Sequence, residues 1–171
     1  MKQLISVVLL LAVIFSIAGC QKEAPLKDPV NFYYRRIQTE FGKETGVIDV
    51  MVVEGDGKKG DHLAMLNQYL LGINNSSFAS TFPVSTQVTD LRILGDTAFL
   101  TLNPALGQYS GMDLTIACAC LTLTTMELTG TQQVSIRITS GTLNGSDQII
   151  MDRNTILLLD IYQPDDTTQT R

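Results

Sequence analysis

The chain has 171 residues, with 12 Lys plus Arg against 17 Asp plus Glu and a single histidine, for a formal net charge of −5. That acidic balance lacks the basic footprint on which phosphate binding depends, so no nucleic-acid partner is expected. The length suits one domain with a sizeable core and is too short for a two-lobed solute-binding cleft.

The chain opens with Met1, Lys2 and Gln3, and an apolar-to-small run then extends from Leu4 to Gly19, broken only by the hydroxyls of Ser6 and Ser16. A membrane-crossing helix needs about 20 apolar residues to span roughly 30 Å of hydrocarbon. This run stops short, at a cysteine followed by polar Gln21, Lys22 and Glu23, and so reads as a signal peptide over residues 1–19. The tetrapeptide Ile17-Ala18-Gly19-Cys20 resembles the lipobox of bacterial lipoproteins, in which the cysteine thiol carries a diacylglycerol and becomes the new amino terminus. The resemblance makes Cys20 the lipid attachment site and the membrane a partner. Two acyl chains give stable anchoring at about 0.8 kcal/mol per buried methylene, where one chain gives only marginal binding. Rival readings are an uncleaved anchor helix and an ordinary secretory signal cleaved before a free cysteine. Cleavage leaves 152 residues and, without Lys2, six net negative charges. Residues 20–29 are then a lipidated tether, 30–162 a folded domain and 163–171 a polar tail.

Within the domain, Val30-Asn-Phe-Tyr-Tyr-Arg-Arg-Ile37 is aromatic and branched and reads as a first strand, with a second over Gly46 to Glu54. The polar connection Gln38 to Thr45 and the breaker Gly55-Asp-Gly-Lys-Lys-Gly60 give both clean ends. From Asp61 the period changes. Leu63, Leu66, Tyr69, Leu70 and Ile73 recur at helical spacing, with Asp61 placed as an amino-terminal cap and Gly72 near the stop. Asn74 to Thr81 is a polar loop closed by Phe82-Pro83, which sets up an extended segment. Gln87 to Leu94 and Thr97 to Asn103 flank Gly95-Asp96, the pattern of a tight hairpin. Its Leu91, Ile93, Ala98, Leu100 and Leu102 form an apolar face.

After a turn at Pro104 to Tyr109, Ser110 and Asp113 make a Ser-x-x-Asp capping pattern ahead of the apolar run Leu114 to Leu128, which Gly130 ends. The many threonines of this run lower helix propensity and leave a strand over Leu114 to Thr125 as the alternative. Gln133 to Thr139 alternates as a strand. A turn region from Gly141 to Asp147 leads to a last extended portion from Gln148 to Tyr162, interrupted near Asp152 to Asn154. The expected class is α+β: a largely antiparallel sheet with both helices on one face.

The ordered series of Phe32-Tyr33-Tyr34, the helix with Leu63, Leu66, Leu70 and Gly72, the stretch from Phe82-Pro83 through Gly95-Asp96 to Leu102-Asn103, and the join Leu121-Thr-Leu-Thr124, Gly130, Val134, Ile136 and Ile138 resembles the GerMN domain, the module named for a spore-germination protein. The chain departs from the family pattern at Gly130-Thr-Gln-Gln-Val134, where no valine follows the glycine directly, and at Thr139-Ser140-Gly141. The resemblance implies a single GerMN-like domain on an envelope lipoprotein, often tied to sporulation or germination, with no known catalytic activity. Its partners would be other envelope proteins or further copies of itself.

The residues offer little chemistry of their own. His62 sits alone at a helix start, where a solvated side chain is the ordinary outcome. Asp and Glu are scattered except for Asp165-Asp166 in the tail, and the Gly55 to Gly60 loop lacks the spacing of a phosphate or calcium loop. Cys118 and Cys120, two apart on a helix, point to nearly opposite sides, so buried small apolar residues are expected rather than a disulfide or metal pair. Tyr33, Tyr34, Arg35 and Arg36 either form a contact surface or alternate between core and solvent. No catalytic residue, cofactor or metal is expected. The function expected is protein interaction or assembly at the envelope, with peptidoglycan binding or modification as the alternative.

Overall fold

The computed structural model describes residues 26–37, 46–55 and 60–158. Cys20, the leader, the tail and most of the glycine-lysine loop lie outside them. In chain order the elements are β1 (Pro29–Arg35), β2 (Ile48–Glu54), α1 (His62–Leu70), β3 (Val88–Leu94), β4 (Thr97–Leu102), a 3-10 turn (Pro104–Gln108), α2 (Gly111–Thr129), β5 (Gln133–Ile138), β6 (Ile149–Asp152) and α3 (Arg153–Leu158).

The α+β class holds, and three of the four strand pairings are antiparallel. The described strands nevertheless divide into two sheets, a β1-β2 pair and a four-stranded sheet in the order β3-β4-β5-β6. Within the second, β4 and β5 run parallel. Parallel neighbours need a crossover of a dozen or more residues, usually a helix, and α2 supplies it. This helix packs against β1 as well as β4, β5 and β6.

Being covered by both sheets explains the composition of α2. Its residues from Ile116 to Met126 are all buried, so the helix is apolar all round rather than amphipathic. It is long and apolar enough to cross a membrane, but two-thirds of it is buried inside the domain, as befits a core helix. The threonines do not divert it to a strand. Thr115, Thr125 and Thr129 donate their hydroxyls to carbonyls four residues back, on Gly111, Leu121 and Thr125, which satisfies polar groups inside the helix itself. Thr124 instead accepts from the Tyr33 backbone N–H at 3.0 Å, tying α2 to β1.

Local signals behave as their chemistry dictates. Asp61 accepts from the Ala64 N–H at 3.0 Å and caps α1. Gly95 takes φ +58 while Asp96 stays at negative φ, the sign pattern of a hairpin turn that needs glycine first. Ala98, Leu100, Leu102, Val134 and Ile136 are buried beneath α2. Ser110 does stand at the amino end of α2 but makes no side-chain capping bond; Asp113, its expected partner in the motif, is drawn instead to Arg35 at 2.6 Å.

The last segment differs from expectation. Instead of continuing extended past Asp152, the chain turns into α3, because Asp152 Oδ1 accepts from both the backbone N–H and the hydroxyl of Thr155 at 2.7 Å. Asp152-Arg-Asn-Thr155 is therefore a helix start rather than an interruption in a strand.

Candidate functional site

Cys20, the residue assigned the lipid, lies outside the described residues, as does the Asp165-Asp166 pair. Among the described residues no three His, Cys, Asp or Glu side chains cluster as a metal site would require. Cys118 and Cys120 are fully buried free thiols. Desolvation pushes Cys118 up to about 12 and raises Cys120 as well. At neutral pH both are protonated and enclosed, which leaves them inert.

His62 is half-buried rather than solvated, and its Nδ1 is buried without a hydrogen-bond partner among the described residues. It borders a recess of about 330 Å³ between the start of α1 and the end of α2, which Met65 and Glu127 also line. Glu127 Oε1 accepts from Asn31 Nδ2 at 3.2 Å. Among the described residues lining that recess there is no Ser, Thr, Cys or Lys.

The tyrosines of β1 neither alternate nor form a surface: Phe32, Tyr33 and Tyr34 are all buried. Phe32 and Tyr34 sit in an aromatic cluster in which the Tyr69 ring lies 4.9 Å from Tyr34 and 5.1 Å from Phe32. Tyr69 also donates its hydroxyl to the Tyr33 carbonyl at 2.6 Å, and Tyr34 donates to the Tyr69 carbonyl at 3.1 Å. Burial drives the phenols of Tyr34 and Tyr69 well above their ordinary range. The arginines are occupied too, Arg35 with Asp113 and Arg36 with Asp49, each at 2.6 Å.

Nor is β1 an open edge. The outward N–H groups of Tyr33 and Arg35, and that of Ile37 just past the strand, donate to Thr124 Oγ1, Thr81 Oγ1 and the Ser77 carbonyl. The Arg35 carbonyl accepts from Ala79. From Tyr33 onward the edge is covered by α2 and by the segment after α1, which removes that part as a template for strand addition.

That same segment forms a groove of about 640 Å³ between the end of α1 and residues 79–87. Tyr34, Leu70 and Phe82, all buried, make its floor. Asn74 and Gln87 supply amide groups, and several serine and threonine hydroxyls line it. None of the described residues that line it is Asp, Glu, Lys, Arg or His. Leu71 and Val84 stand on it 84% and 90% exposed. Sequence reading missed this place, since it treats 74–81 as a polar loop; the trace it left is a valine between Pro83 and Ser85 with no apolar alternation around it.

No family model matches the chain, and no curated protein matches it. Among solved structures it is similar to the first GerMN domain of the sporulation protein GerM from Bacillus subtilis, with 17% identity and a TM-score of 0.50, over 72% of this chain and 95% of that domain. It is also similar to the tandem GerMN domains of that protein, with 15% identity and a TM-score of 0.56 over 79% of this chain. The chain spans about half, 49%, of the tandem structure. At these identities the likeness is one of fold: the chain carries a single domain of the GerMN fold.

Proposed function

We propose that the protein is a non-enzymatic envelope lipoprotein whose GerMN-fold domain, held at the outer face of a membrane by a diacylglycerol on Cys20, docks and helps assemble other envelope proteins. The observation that carries this reading is the lipobox-like Ile17-Ala18-Gly19-Cys20 set directly before the fold, with β1 beginning at Pro29, nine residues beyond the cysteine. A tether that short keeps the domain close to the bilayer, where its partners would be membrane or wall-associated. The GerMN fold supports the same reading, since its structural counterpart is a sporulation protein, and sporulation is the process in which a partner is sought first.

Chemical cross-linking in intact cells, followed by purification of the full chain from its own envelope, tests the proposal. A reproducible envelope protein that is lost with the Cys20→Ser variant is the expected result. Sedimentation with purified sacculi in the absence of any cross-linked protein would contradict it in favour of glycan binding.

A further inference from the structure

We propose that Asn144 is a self-modifying site: when the turn that carries it opens, the backbone nitrogen of Gly145 attacks the Asn144 side-chain amide, and the chain is converted there to aspartate or isoaspartate. Asparagines stand at 31, 67, 74, 75, 103, 144 and 154, and Asn144 is the one followed by glycine. Glycine has no Cβ, so nothing on residue 145 shields its own nitrogen. The space that a side chain would take at Gly145 is open, and both residues are exposed. Other asparagine amides are tied down. The Nδ2 of Asn31 donates to Glu127 Oε1 at 3.2 Å, that of Asn67 to the Val88 carbonyl at 3.0 Å, and that of Asn103 to the Ser85 carbonyl at 2.7 Å. The Asn144 amide has no such tie to a described residue.

The fold sets the rate. The Leu143 N–H donates to the Ser146 carbonyl at 2.8 Å and the Ser146 N–H returns to the Leu143 carbonyl at 3.1 Å. Between them Asn144 takes φ +52 and Gly145 φ +85, the left-handed pair of a two-residue hairpin turn that Asn-Gly suits best. The sequence that makes the turn is thus also the reactive one. For a five-membered ring to close, the Gly145 nitrogen must swing onto Asn144 Cγ, and the two hydrogen bonds resist that rotation. Reaction therefore runs through local opening of the turn.

In the step itself a bond forms between Gly145 N and Asn144 Cγ, the Cγ–Nδ2 bond breaks, and the Gly145 amide proton leaves with the side-chain nitrogen as ammonia. Water then opens the ring at either carbonyl. One opening leaves aspartate; the other routes the main chain through the Asn144 Cβ and leaves isoaspartate. Both add a negative charge. Isoaspartate also lengthens the main chain by a carbon, which a two-residue turn cannot absorb, and so loosens Leu143, which is 1% exposed, from the core.

Peptide mapping by mass spectrometry of the full chain in detergent micelles, aged at pH 8, tests this. Asn144 is expected to convert to a mixture of aspartate and isoaspartate ahead of the other asparagines, and at least about tenfold faster in denaturing urea than in the folded chain. The isoaspartate form should melt below the parent, whereas Asn144→Asp, whose Asp-Gly pair suits the same turn, should melt with it. Aspartate without isoaspartate would show direct hydrolysis and no ring. That result, an intact Asn144 in urea while another asparagine converts, or equal rates in the folded and unfolded chain would each overturn the proposal.

Discussion

Thr122 is fully enclosed in α2, and its hydroxyl has no hydrogen-bond partner among the described residues. A buried unsatisfied hydroxyl has lost its water for no return, and replacing it with a methyl of the same shape removes the penalty. Thr122→Val is therefore expected to stabilise the fold by about 1 kcal/mol, which for a chain of this size raises Tm by about 2–4 °C in thermal denaturation. A lower Tm would show that the hydroxyl is satisfied. The neighbouring thiols make a second prediction at this scale. Cys118 ionises near 12 in the folded chain against 9.0 for a free thiol, because burial disfavours the thiolate. The stability this contributes is complete below about pH 9 and is lost as pH rises toward about 12. Denaturant midpoints should fall over that alkaline window, and iodoacetamide at pH 8 should modify Cys118 and Cys120 only after unfolding. Modification of either in the folded protein would contradict their enclosure.

At the scale of elements, α3 begins where one carboxylate captures two donors. Hydrogen bonds from the Thr155 backbone and hydroxyl hold Asp152 below the ordinary carboxylate range. Because its folded pKa is depressed, the stability it adds is present above the unfolded value of 3.8 and is lost as pH falls through the folded one. Asp152→Ala should cost about 1 kcal/mol and flatten the acid limb of stability, read by urea denaturation from pH 6 down to pH 2. An acid limb unchanged by the substitution would remove the cap from the account.

The same element marks where sequence reading reached its limit. Hairpin β3-β4, the cap of α1 and the span of α2 rest on signals within a few residues, namely Gly95-Asp96, Asp61 and an uninterrupted apolar run, and these were legible. The division into two sheets depends on what covers α2 from both sides, and no local pattern encodes that. The parallel β4-β5 pair could have been read, since strand, long helix and strand in succession is a crossover. The Ser110 motif failed for a related reason: Asp113 is claimed by Arg35 from an element 78 residues away in the chain. The groove was hidden because α1 and the segment after it meet only in the fold.

For the whole molecule, the described core is built mainly from apolar side chains. Its titratable groups are phenols and thiols kept neutral by burial, and the arginines of β1 are paired with carboxylates at its surface. Such surface pairs contribute about 0–1 kcal/mol each and hold register more than they hold the fold. The domain presents to its surroundings a covered β1 edge and a groove whose described lining holds no Asp, Glu, Lys, Arg or His. That shape acts at an envelope only if the chain is kept there, and the account puts the attachment at Cys20. Metabolic labelling with a clickable palmitate analogue tests this most directly. The account predicts strong labelling of the parent chain at the membrane and none of the Cys20→Ser variant. Equal labelling of both, or no labelling of the parent, would contradict it.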